Sequence, residues 1–132
     1  MEADNSKPQL KPRTKQFAIR TIRLVEALPA TRTADVIGRQ LLRSALSVGS
    51  NYRSACRARS QADFVSKMGI VEEEIDECLY WMEMLMEGGA MKQERLEPLM
   101  SEAGEIAAMV VASIRTARAR RQSAVAPRIG AE

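Results

Sequence analysis

Between Phe64 and Leu85 the apolar residues fall at alternating steps of four and three: Phe64, Met68, Val71, Ile75, Cys78, Met82 and Leu85. That is a heptad seam held over three repeats, the spacing that keeps one narrow stripe of a helix facing its neighbours. The pattern predicts a helix over 61–86 that must bury this stripe against other helices. Ser60, with Asp63 three residues on, approximates a capping box at its start. Gly88 and Gly89 stand where a C-terminal glycine cap is expected.

Three more segments show helical periodicity. The first starts at Thr14 or Lys15 and carries Phe17, Thr21, Leu24 and Leu28 on one face, until Pro29 stops it. The second covers 34–57, with Thr33 as N-cap, Asp35 in its first turn and a face of Ile37, Leu41, Ala45, Val48 and Tyr52. Gly38 and Gly49 lower its intrinsic helicity by about 1 kcal/mol each. Ser44, Ser47 and Asn51 place small polar groups beside the face, as close packing with back-bonded hydroxyls would. The fourth covers 93–121, with Leu96, Leu99, Ala103, Ile106, Val110 and Ile114 in register and Pro98 near the first turn, where it is tolerated. The short connections predict an all-α, antiparallel up-down-up-down four-helix bundle over 14–121. Residues 1–13, with Pro8 and Pro12, read as a flexible arm, and 122–132 as a disordered tail.

Composition narrows the chemistry. The chain has 132 residues and no histidine, which removes the commonest general base and metal ligand and excludes Ser–His and Cys–His nucleophiles. Cys56 and Cys78 read as two reduced thiols, which favours a reducing cytoplasm. Residues 1–15 lack the apolar core of a signal peptide, and no apolar run approaches the roughly eighteen residues a span needs. The expectation is a soluble cytoplasmic protein with no cofactor, no metal and no membrane association.

The net charge of +3 is unevenly placed: +8 over residues 1–59, −9 over 60–111 and +4 over 112–132. A basic half and tail suit a polyanion, whereas the acidic middle suits the basic half of the same fold or of a neighbouring subunit. Arg39, Arg53, Arg57 and Arg59 are candidate phosphate contacts on the second helix; a solvated face or ion pairs with Glu72, Glu74 and Glu77 is the alternative. Arg43, between Leu42 and Ala45, reads as structural, paired with Glu74. Arg115, Arg118, Arg120 and Arg121 form a second basic cluster, either contacting nucleic acid or simply complementing the helix dipole. Glu72, Glu73, Glu74, Asp76 and Glu77 read as an exposed acidic face rather than as ligands for a hard ion. Tyr80 and Trp81 flank the seam and suit aromatic packing or a subunit interface.

Two segments carry a family resemblance. Gln40–Ser60, with its Leu-Leu-Arg-Ser-Ala start and Asn51 four residues after Ser47, and Ala62–Trp81, a Glu-rich helix ending in Trp, closely resemble a bacterial four-helix-bundle family. Its members were first noticed as proteins encoded by intervening sequences in 23S ribosomal RNA genes. The resemblance spans roughly residues 14–115. One departure is Arg53, where many relatives have a Glu directly after the Asn-Tyr pair. The resemblance implies homopentamers around a central opening. It also implies likeness in fold to the accessory variability protein of diversity-generating retroelements, which binds nucleic acid and a reverse transcriptase.

Together these readings lead to a non-enzymatic homo-oligomer, a pentamer by resemblance, that binds RNA or DNA electrostatically. The alternative is an oligomeric adaptor for a protein partner, such as a reverse transcriptase or ribosome-associated factor, with no direct nucleic-acid role.

Overall fold

The computed structural model describes residues 9–130, with side chains described for 9–123. Its four helices are α1 (Leu10–Glu26), α2 (Arg32–Cys56), α3 (Gln61–Glu87) and α4 (Gln93–Gly130). Each packs on its neighbours in sequence, and α1 closes onto α4. This is the four-helix bundle that short connections demand.

The α3 seam is the centre of the core. Met68, Val71, Ile75, Cys78, Met82 and Leu85 are completely buried, and Phe64 is partly buried at the seam's start. Burying each such side chain fully contributes about 1.5–3 kcal/mol. α4 answers with Leu96, Leu99, Ala103, Ile106, Val110 and Ile114, and α2 with Leu41, Ala45, Val48 and Ala55. α3 starts at Ser60, whose hydroxyl accepts from the Asp63 N–H at 3.0 Å. It ends in a Schellman turn: the Ala90 N–H reaches Leu85 O at 2.9 Å and the Gly89 N–H reaches Met86 O at 3.1 Å. Gly89 has φ 79°, a left-handed conformation that a Cβ would strain.

Several helix ends differ from the sequence reading. α1 begins at Leu10, not Thr14, because Leu10 is buried and Pro12 falls in the first turn, where it breaks no hydrogen bond. Residues 10–13 of the expected arm are therefore helix, while residues 1–8 lie outside the described residues. α2 is capped by Thr31 rather than Thr33: its side chain accepts from the Ala34 N–H at 3.2 Å, which seats Ala34 in the core. α4 continues past Arg121 to Gly130. Arg118–Ser123 is rich in residues that favour helix even without a buried face. Residues 131–132 of the expected tail lie outside the described residues.

Polar groups join the helices at two places. Between α2 and α3, Arg43 Nη2 donates to Glu77 Oε1 at 2.7 Å, and Ser44 Oγ donates to the same oxygen at 3.1 Å. Ser44 is thus tied across helices and not back-bonded, because α3 brings Glu77 opposite it. Asn51 does back-bond, donating to Ser47 O at 2.9 Å. Glu74 Oε1 lies 3.7 Å from Arg43 Nη1, too long for a hydrogen bond. That oxygen is buried without a hydrogen-bond partner. Burial, then the charge of Glu77, pushes the Glu74 carboxyl above its ordinary value despite Arg43.

Between α1 and α4, Arg13 makes a fork on Glu102, with Nε to Oε2 at 3.0 Å and Nη2 to Oε1 at 2.6 Å. The same Nη2 donates to Glu105 Oε1 at 2.9 Å. The hydrogen bonds to Glu102 and then Glu105 raise the Arg13 pKa further.

Two outcomes are expected. Arg13→Ala will lower stability in urea titration by about 1–2 kcal/mol, more than a fully exposed pair because Glu102 is largely covered. Arg13→Lys will recover less than half, since an ammonium cannot make the fork; full recovery would show that charge alone matters. For Glu74, the folded state holds the proton more tightly than the unfolded chain, so ionisation costs stability as pH rises above the ordinary carboxylate range. Glu74→Gln will therefore stabilise the protein at pH 8, and the gain will shrink as pH falls through that range. A gain that stays constant with pH would contradict the assignment.

A candidate nucleic-acid interface at the basic end of the bundle

Alternating helix direction brings the start of α1, the end of α2, the start of α3 and the C-terminal part of α4 to one end of the bundle. A groove of about 810 Å³ opens there. Its floor is apolar, with Leu10, Ala55 and Ala117 buried beneath it. Tyr52 and Phe64, both partly buried, form aromatic walls. Arg59 and Arg120 line it and are exposed, and among the described residues no acidic side chain lines it.

Local structure explains how these residues are held. After Cys56 the chain turns tightly: Arg57 caps α2, its N–H reaching Ser54 O at 3.1 Å, and the Ala58 N–H reaches Ala55 O at 3.0 Å. Ser60 then caps α3. Arg59 is thereby fixed in a short connection between two helix ends. Arg120 projects from α4 one turn beyond Thr116, which also lines the groove.

Among the described residues, Arg53, Arg57, Arg59, Arg115, Arg118, Arg120 and Arg121 make no ion pair. The three arginines that do are Arg13, Arg39 and Arg43. Tyr52 is pushed up to about 12, first by burial and then by the neighbouring Cys56 thiol, so the phenol stays neutral. Cys56 is exposed in the groove, whereas Cys78 is buried in the seam and its thiol is pushed up to about 12 by burial and the charges of Glu74 and Glu77. Both cysteines are free.

The fold sorts the arginines that the sequence singled out. Arg59 and Arg120, distant in sequence, share the groove. Arg53 and Arg57 lie on α2 beside Cys56, roughly 60–100° round the helix. Arg115 and Arg118 lie roughly 140–200° round α4 from Arg120, and Arg121 lies between. Arg39 stands apart, about 27 Å along α2 from Arg57, and pairs with Asp35 at 3.0 Å on the exposed surface. Arg43, with Glu74 and Glu77, belongs to the α2–α3 junction.

Sequence reasoning passed over other groups. Phe64 reads as the first seam residue, yet it also lines the groove. Arg20, Arg23 and Arg95 line a second cleft of about 280 Å³ between α1 and α4. Only Arg20 and Arg23, at i and i+3, carried any signal of that in sequence. Among the described residues, no group of acidic, cysteine or histidine side chains is arranged to hold a metal ion. None of the described helices is long and apolar enough to cross a membrane.

Comparison with known proteins agrees with this architecture. Residues 9–112 match the family model described as 23S rRNA-intervening sequence protein. Arg59 lies inside that match and Arg120 beyond it. The chain is similar to the crystal structure of a protein with unknown function from the S23 ribosomal protein family of Bacteroides thetaiotaomicron VPI-5482. The two are 32% identical with a TM-score of 0.75, over 80% of this chain and 97% of that one. No curated protein matches. The chain belongs to the 23S rRNA-intervening sequence protein family.

Proposed function

We propose that this protein is a non-enzymatic homo-oligomer that binds RNA or DNA electrostatically through the basic end of its bundle. The observation that carries the reading is the convergence of Arg59 and Arg120 on one groove that, among the described residues, has no acidic side chain in its lining. Arginine forks match phosphate oxygens, and arginines clustered at one end without ion pairs among the described residues favour a polyanion. The family's association with 23S rRNA intervening sequences supports an RNA setting.

Self-association is supported by the outer α2–α3 surface. Ile70, Glu74, Glu77 and Trp81 follow one another at helical spacing just beside the α3 seam. Ile70 on α3 is 41% exposed, and Tyr80, 52% exposed, stands edge-on to Trp81 with ring centroids 5.0 Å apart. Trp81 Nε1 and Glu74 Oε1 are covered yet have no hydrogen-bond partner within the protomer. A second copy packed on this surface would cover the apolar side chains. A pentamer, which the family resemblance implies, would repeat the basic end five times and turn weak contacts into avidity.

Light-scattering mass after size exclusion, with and without a short RNA at two salt concentrations, tests both parts. The expected result is an oligomer that gains RNA mass at 50 mM salt and loses it at 200 mM. A site neutralising four phosphates loses roughly a hundredfold in affinity over that range. Arg59→Glu with Arg120→Glu will abolish RNA binding and leave the oligomer intact. An oligomer that ignores RNA at both salts would favour a protein-binding adaptor instead, and a monomer would remove the quaternary reading.

A further inference from the structure

The basic end differs from a plain charged surface in having an apolar, aromatic-walled groove between its arginines. We propose that this groove seats one unpaired nucleotide, its base against Tyr52 and Phe64 and its phosphate on Arg59 and Arg120, so that the protein prefers single-stranded nucleic acid to duplex. The inference rests on the nucleic-acid reading above and adds the form of nucleic acid that is recognised.

Five observations support it. At about 810 Å³ the groove lies in the roughly 300–1,000 Å³ range of clefts that enclose small ligands, larger than a charge contact alone requires. Its lining combines two arginines with two aromatic rings, the pairing by which single strands are held: charge for the backbone and a π-face for the base. The rings come from different helices, α2 and α3. Among the described residues no acidic side chain lines the groove to neutralise Arg59 or Arg120. The start of α3 at Ser60 and Gln61 adds partial positive charge at the same place.

Other occupants fit less well. The bases of a duplex are stacked and paired, so a duplex offers phosphates but no free face to the groove. An acidic peptide would neutralise the arginines, but its carboxylates give the rings nothing flat to cover.

The test uses the full chain, fluorescence anisotropy, a labelled single-stranded RNA of twelve nucleotides and its twelve-base-pair duplex. Tyr52→Leu with Phe64→Leu keeps apolar bulk and all charge but removes both π-faces. Ala112→Leu, at an exposed α4 position lining the groove, fills the space while keeping rings and arginines. Circular dichroism melting checks that each variant folds. Wild type is expected to bind the single strand more tightly than the duplex. Each variant is expected to lose at least about fivefold for the single strand, with duplex affinity changed less than twofold. Equal losses on both probes, no loss on either, or a wild-type preference for duplex would overturn the inference and leave the electrostatic reading standing. Failure of wild type to bind either probe at 50 mM salt would instead overturn the nucleic-acid reading and this inference with it.

Discussion

The bundle depends on the burial of one stripe of α3. Six seam residues from Met68 to Leu85 are fully removed from water, and α3 contributes to both of the interfaces it forms, with α2 and with α4. The stripe stays in line because its spacing alternates between four and three, so the helix need not rotate its apolar face away from its neighbours. Interiors are close-packed, and truncating one such residue typically costs about 2–5 kcal/mol. Cys78 shows the same constraint chemically. At the middle of the stripe a thiol serves as a small apolar side chain, and burial holds its proton in place.

The backbone of α1 packs beside α2 and α4, diagonal to α3. Its own stripe includes two threonines, Thr14 and Thr21, both buried. Each hydroxyl donates to a carbonyl of the same helix, Thr21 to Phe17 O at 2.8 Å and Thr14 to Lys11 O at 3.2 Å, so neither is left unpaired. These residues let α1 pack closely, and a Cβ at Gly49 would stand 3.6 Å from the Thr14 carbonyl oxygen, an ordinary contact. A thin apolar stripe gives a weaker grip than that of α3. The Arg13 fork on Glu102 supplies a directional contact where hydrophobic burial is least.

How much of this was legible in the sequence follows from range. The α3 seam, the Ser60 cap and the glycine turn are encoded within a few residues of each other, and they stand in the structure where the pattern puts them. Helix ends were less legible because competing caps sit close together. Thr31 and Thr33 are both good N-caps by residue type, and only the seating of Ala34 in the core decides between them. Leu10 looked like part of a polar arm because its burial depends on helices that arrive far later in the chain. Arg13 was hidden for the same reason, since Glu102 is 89 residues away. The groove was the least legible feature. Arg59 and Arg120 read as separate clusters, and Phe64 as one more seam residue, until the antiparallel arrangement set them around one space.

Charge completes the account of why the basic end is distinctive. Acidic residues crowd the segment from 60 to 111, and several of them are engaged in ion pairs: Glu74 and Glu77 meet Arg43 midway along α2, Glu102 and Glu105 meet Arg13 on α1, and Asp63 meets Lys67 on α3. The arginines near the α2–α3 connection and along the last part of α4 face no such partners among the described residues. Like charges gathered this way repel one another and oppose the compact state. The α3 seam, remote from solvent and indifferent to charge, is strong enough to carry that repulsion. The same core that sets the fold therefore permits a concentration of positive charge that no local pairing would stabilise, and a polyanion bound there would relieve it.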